Sequence, residues 1–285
     1  MLSAKFTLNF FWIAMFLPSC SKSEEKNPVF VENYIVNFTP NDQTTVNASF
    51  PDNVNNIWTY ETVSYFDFLD TERTDTVIKY KSDVQIVFWP TFYGLSDVIE
   101  LKVHPTILYS IVTATDPGDG STFYQNKSDG LYEVAYFNPY IPFVNPKAVS
   151  GAASQQLHRP LFPFDQTHKV SSDTVFRDKL VLNYPLSNGK KWIVFDSPWT
   201  QRAEIAAKGL VQVPAGILPA YRMKHFNEIN AYDYTFNSYF GNAGLVAREV
   251  INYDLEFTDE QNPEGAGLFF DWIEKTELVS YTIAP

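Results

Sequence analysis

Apolar and polar side chains alternate over short runs through most of the chain. Asp83-Val84-Gln85-Ile86-Val87 and Glu100-Leu101-Lys102-Val103-His104 show it best, with the period of two that leaves one face of an extended strand buried and the other wet. Runs rich in Val, Ile, Tyr, Phe and Thr recur between turn residues. They predict strands over Val29–Thr39, Ile57–Phe68, Thr76–Lys81, Val84–Trp89, Val98–Val103, Ile107–Ala114, Leu131–Phe137, Lys179–Leu182, Lys191–Phe195, Ala220–His225, Tyr232–Phe240, Leu245–Tyr253 and Glu277–Ile283. Asp116-Pro117-Gly118-Asp119-Gly120 and Ser187-Asn188-Gly189 carry the turn chemistry that joins antiparallel neighbours. Helical spacing is scarce: Ala203–Lys208 and Trp272–Thr276 are the two candidate turns, and both fit strand or loop as well. The pattern predicts a mostly β fold, a curved antiparallel sheet or partly open barrel.

The pattern also echoes itself. Phe50-Pro51 precedes Trp58 by the same spacing that separates Tyr184-Pro185 from Trp192. Phe66-Asp67, Thr71 and Arg73 are matched by Phe195-Asp196, Thr200 and Arg202, and Gly130-Leu131 before Glu133-Val134 loosely mirrors Gly244-Leu245 before Glu249-Val250. Two readings stand: an internal duplication giving two similar halves in one domain, or two similar strand entries. Val213-Pro214-Ala215-Gly216 reads as a strand broken by a turn, and Gly241 and Gly244 as marks of a bend or bulge.

The amino terminus has a different character. Lys5 precedes the mostly apolar run Phe6–Leu17, too short for the ~20 residues that span a bilayer but suited to the apolar core of a secretory signal. Leu17-Pro18-Ser19-Cys20 resembles the bacterial lipobox, which implies cleavage after Ser19 and lipidation of Cys20, the only cysteine of the 285 residues. Each buried methylene of an acyl chain contributes ~0.8 kcal/mol, and two or more chains make attachment stable. Lipidation also disposes of a thiol that would otherwise be left over in an oxidising compartment. Residues 1–19 are thus expected to be a lipoprotein signal peptide. Residues 20–28, with Ser21-Lys22-Ser23-Glu24-Glu25-Lys26, form a tether, and 29–285 a single β-rich domain with a proline- and aromatic-rich insertion near 138–175. The serine after Cys20 is not the inner-membrane retention signal of enterobacteria, and the acidic cluster resembles the export signal of Bacteroidetes lipoproteins. The expected location is the outer membrane, with the cell surface and the periplasmic face both open.

A formal charge of −12 disfavours nucleic acid, whose binding relies on Lys and Arg neutralising phosphates. Aromatic content is high, with 24 Phe, 17 Tyr and 6 Trp, as a large β core requires.

Read in order, Trp58-Thr59-Tyr60, Asp129-Gly130-Leu131-Tyr132, Tyr184-Pro185-Leu186 with Gly189 and Trp192, Val213-Pro214-Ala215-Gly216, Gly241 with Gly244-Leu245-Val246, and Glu277-Leu278-Val279-Ser280-Tyr281 resemble a broad group of Bacteroidetes-type lipoproteins. The resemblance covers about residues 50–283 and implies one continuous curved β domain; the group brings no established activity. Ile217-Leu218 departs from it, as does the long segment from Pro139 to Val175.

Catalytic and metal motifs are missing from the sequence. His104, His158, His168 and His225 lack metal-ligand spacing, and there is no G-x-S-x-G, P-loop, G-x-G-x-x-G or H-E-x-x-H. No cofactor, catalytic residue or metal site is therefore expected. Asp67, Asp70, Glu72 and Asp75 are the acids from which a glycan-active enzyme would draw a carboxylate pair. The aromatic-proline segments around Trp89, Phe92 and Tyr93, around Tyr136 and Tyr140, and at Leu161-Phe162-Pro163-Phe164 suit sugar stacking or protein docking, or plug the open end of the sheet. Asp75-Thr76-Val77 and Asp173-Thr174-Val175 resemble Bacteroidetes O-glycosylation sites at Thr76 and Thr174. The leading expectation is a non-enzymatic envelope lipoprotein that binds a ligand or protein partner, a glycan or an outer-membrane protein, through a β surface or aromatic loops. Its rival is a structural accessory subunit of an outer-membrane complex.

Overall fold

The computed structural model describes residues 34–46, 49–68, 76–110, 119–137, 175–196, 200–227, 234–256 and 269–284. These residues form thirteen strands and no helix. In chain order they are β1 (Asn37–Pro40), β2 (Ile57–Phe68), β3 (Thr76–Phe92), β4 (Leu95–Ser110), β5 (Gly120–Lys127), β6 (Gly130–Phe137), β7 (Val175–Asn183), β8 (Lys191–Phe195), β9 (Gln201–Val213), β10 (Gly216–Asn227), β11 (Tyr234–Gly241), β12 (Gly244–Glu256) and β13 (Phe269–Thr282). All belong to one antiparallel sheet in the order β1-β9-β10-β11-β12-β13-β2-β3-β4-β5-β6-β7, with β8 also paired to β9. The candidate helical segments lie in β9 and β13, where burial alternates strictly over Gln201–Ile205.

The sheet is two six-stranded meanders, β2–β7 and β8–β13, joined by the pairing of β13 with β2. The sequence echoes fall on matching places. Trp58 and Trp192 are each the second residue of a meander's first strand, and Gly130-Leu131 and Gly244-Leu245 each open a fifth strand. The two entry segments touch, the Phe50 N–H donating to the Tyr184 hydroxyl at 2.9 Å. At the opposite junction, β7 and β8 are linked by side chains. The Trp192 indole N–H donates to Leu180 O at 2.9 Å, and Lys190 Nζ donates to the carbonyls of Asn183, Tyr184 and Pro185 at 2.8, 2.9 and 3.0 Å. The sheet thus curls into a partly open barrel.

Alternation along a meander sorts the connections by end. Tyr93-Gly94, Ser128-Asp129, Pro214-Ala215 and Asn242-Ala243 are two-residue turns, and with 184–190 they share one end of the barrel. The strand ends that flank the longer connections, at Phe68 and Thr76, Ser110 and Gly120, Phe137 and Val175, Phe195 and Gln201, Asn227 and Tyr234, and Glu256 and Phe269, belong to the other. The interior at the short-turn end is apolar, with Trp58, Ile86, Leu101, Leu131, Leu182 and Trp192 of one continuous core. At this rim a Cβ on Gly241 would overlap the Pro219 carbonyl oxygen, whereas Gly244, with φ of +86°, supplies the left-handed conformation of the turn. Gly241→Ala is expected to lower stability by about 1–3 kcal/mol through forced separation of β10 and β11, measurable as a lower denaturation midpoint with an unchanged m-value.

Residues 34–46 lie on the outside. Buried Glu249 accepts hydrogen bonds from the Val36 N–H (2.7 Å), Asn237 Nδ2 (2.6 Å) and the Tyr239 hydroxyl (2.9 Å), which holds this segment against β11 and β12. Phe38 packs on Tyr239, and Tyr34 on Tyr65 of β2.

Candidate functional site

The interior changes character beyond the apolar layer. Strand register sets Arg248 of β12 beside Thr276 of β13, which lies beside Thr62 of β2 and then Tyr80 of β3. One step further along the same face come Val250, Glu274 and Ser64, then Asn252 and Trp272. Period-two geometry therefore turns these side chains to the face that carries Tyr60 and Leu278 into the core.

Arg248 and Glu274 are 2% and 1% exposed and form an ion pair through Nη2 and Oε1. Ser64 donates to the other Glu274 oxygen at 2.8 Å, and the hydroxyls of Thr62 and Thr276 meet at 2.9 Å. Burial raises the Glu274 pKa, with Arg248 and the Ser64 bond pulling it back. His225 of β10 shares a hydrogen bond with the Ser238 hydroxyl (3.1 Å) and packs on the Phe236 ring, 4.1 Å between centroids. Burial, seconded by the Arg248 charge, pushes its pKa down to about 3.

The first meander contributes a second pair of opposite charges. Glu133 of β6 and Lys179 of β7 are register partners, both buried, and Glu133 shares its face with Tyr124 of the core. Lys179 Nζ lies 5.2 Å from the centre of the Phe195 ring. Each half thus places one acid and one base on its fifth and sixth strands, with the signs exchanged.

The His225 linkage has a definite sign. The folded state binds this proton less readily than the unfolded chain, so the stability is complete above pH 6.5 and is lost progressively as pH falls from 6.5 toward 3. His225→Gln is expected to flatten the pH dependence in that window. The difference between wild-type and variant urea midpoints at pH 7 and pH 4.5 is the readout, and parallel curves would refute the assignment.

The sites expected from sequence are placed elsewhere. Trp89 is half-exposed on β3 and donates to Glu100 Oε2 at 2.7 Å; Ser121 donates to Oε1 at 2.6 Å. Phe92 is buried, stacked 4.2 Å from Phe123, while Tyr93 at the hairpin tip is 77% exposed with φ of 46°. Tyr136 is buried on β6. The structure keeps Trp89 on a strand, as its alternation predicts, and carries that strand through Pro90 to Phe92, where the proline favours a loop. Proline is tolerated because β2 pairs β3 only as far as Gln85, leaving the edge beside Pro90 without a β2 partner. Thr76 begins β3, and the side chains of Thr76 and Asp67 are outside the description. Cys20, Asp70, Glu72, Asp75, Tyr140, His158, Leu161–Phe164, His168 and Thr174 lie outside the described residues. His104 pairs with Asp119 at 2.8 Å on the surface. Among the described residues, no group of three or more His, Cys, Asp or Glu is placed to hold a metal ion.

Sequence reasoning missed the interior cluster because its members sit on six strands, β2, β3 and β10–β13, with Ser64 and Glu274 210 positions apart. One local signal existed: Val246-Ala247-Arg248-Glu249-Val250 puts an arginine at the position of its alternation where an apolar residue belongs.

No protein-family model and no curated protein matches the chain. Among solved structures it is similar to a protein of Bacteroides fragilis classed as exported and YmcC-like in fold, at 10% identity and a TM-score of 0.35 over 83% of this chain and 99% of that one. A protein of Parabacteroides distasonis classed as a lipoprotein is similar at 14% identity and a TM-score of 0.30 over 84% and 100%.

Proposed function

We propose that this chain is a non-enzymatic cell-envelope lipoprotein, held at the outer membrane by lipid on Cys20, which binds a ligand inside the long-connection end of its barrel. The observation that carries the reading is the segregation of the interior. Arg248, Glu274, Glu133 and Lys179 are all buried beyond the apolar layer, toward the end where connections are long. A buried ion pair often adds no stability over well-packed apolar residues of the same volume, so the Arg248–Glu274 pair, with Glu133 and Lys179 as a further buried acid and base on the same face, is better explained by recognition than by folding.

The test is native mass spectrometry of the mature protein extracted from its own membranes. A mass excess on the wild type that is lost in the Arg248→Met/Glu274→Met variant supports the proposal. A wild type that carries no such excess in any preparation overturns it.

A second reading, the accessory subunit, is favoured by the β3–β4 hairpin, which presents Trp89, Phe88 and Tyr93 exposed at the short-turn end. Stoichiometric co-purification with a large outer-membrane protein, abolished by Trp89→Ala/Tyr93→Ala, would select it.

A further inference from the structure

Among the described residues, the buried side-chain atoms without a hydrogen-bond partner include Oδ1 of Asn252 and Nε1 of Trp272. The residues are 2% and 0% exposed and are register partners across β12 and β13, on the luminal face next to Glu274. An unsatisfied buried donor or acceptor forfeits the hydrogen bonds it made to water, so each is a standing defect in the folded protein. Here a side chain with an open acceptor and one with an open donor sit on paired positions of neighbouring strands. Asn252 is four residues before the end of β12 and Trp272 three after the start of β13, so both belong to the rim of the long-connection end.

Their surroundings narrow the ligand. The buried luminal charges among the described residues balance, Arg248 against Glu274 and Lys179 against Glu133, so an ionic ligand would bring a charge that nothing complements. Phe236, Tyr80 and Trp272 itself supply buried aromatic surface on the same face. Neighbouring hydroxyls, one donating and one accepting, against aromatic rings are the chemistry of a neutral saccharide.

We infer that Asn252 and Trp272 form a subsite for a neutral saccharide, Asn252 Oδ1 accepting from one hydroxyl and Trp272 Nε1 donating to the next. The inference rests on the proposed ligand-binding reading and gives it a substrate class. A single water meeting both atoms is the competing occupant, and it predicts no effect on sugar binding.

The experiment is calorimetric titration of the full mature protein in detergent with maltotetraose, cellotetraose, chitotetraose and mannotetraose, in wild type, Asn252→Leu and Trp272→Phe. At least one saccharide is expected to bind the wild type, and each variant to weaken that binding at least about tenfold. The sugar-free melting temperature of Asn252→Leu, which removes the unsatisfied acceptor at similar shape, is expected to rise by about 2–4 °C. Absence of binding by all four saccharides, equal binding by the variants, or a lowered melting temperature for Asn252→Leu would overturn the inference. An anionic or lipid ligand found by mass spectrometry, lost with the Arg248 and Glu274 replacements but retained in Asn252→Leu, would overturn the saccharide subsite while leaving the binding proposal standing.

Discussion

Arg248→Met is expected to destabilise the domain by about 3–5 kcal/mol, because it strands the buried Glu274 carboxylate without its cation. Glu274 is 1% exposed, and its remaining described hydrogen bond comes from Ser64, a neutral donor. The carboxyl would escape the penalty by taking up a proton, in the direction burial already drives it, so the loss should be larger at pH 8 than at pH 5. Replacing both partners, Arg248→Met with Glu274→Met, removes both charges together and should recover most of the loss. Urea denaturation of the wild type, both single variants and the double variant gives the coupling directly. A loss under about 1 kcal/mol for Arg248→Met would place the pair among surface-like ion pairs and contradict the burial argument.

The second large effect is one of location. Cys20→Ala should move the protein from the membrane fraction to the soluble fraction, or leave it uncleaved, with the melting temperature of the domain unchanged. The described core is built from strands far along the chain, from Tyr34 onward. One acyl chain alone would hold the protein only marginally, so removing the thiol proposed to carry a diacylglycerol should be decisive. Unchanged sedimentation with membranes in the variant would overturn the anchor.

The fold was more legible in the sequence than the site was, and the misses have physical causes. Strand alternation is a local property, so β2, β8 and the ends of β12 and β13 could be read from their own residues. Within β9, Ala203–Lys208 reads as a helical turn as readily as strand or loop because alanines at 203, 206 and 207 favour no pleated face, and its extended form is imposed by pairing with β10. β5, Gly120–Lys127, escaped because Ser121, Gln125 and Asn126 are polar without being solvent-facing in the usual way. They bond to Glu100, the Ser96 carbonyl and Asp52, partners that exist only in the assembled sheet. The segments 98–103 and 107–114 looked separate because of Pro105, yet β4 runs through it. β5 pairs β4 only up to Val103, and the missing proline N–H interrupts no ladder there. The interior site was beyond local reading altogether. Its charges become visible as a cluster only when the last strand is laid beside the first of the opposite meander.

That last pairing bears on how the molecule comes into being. β2 finds its partner β13 across about 210 intervening positions, while every other neighbour within the two meanders is adjacent in sequence. Loop-closure entropy makes so distant a contact slow to form. The first meander therefore leaves the β2 edge bare until the final strand has been delivered, and an exposed edge of twelve residues is a template for mispairing with other chains. A chain threaded across a membrane from its amino terminus would complete its barrel only after transport ends, which couples maturation to export and makes the interval between them the stage at which a holding chaperone has most to protect.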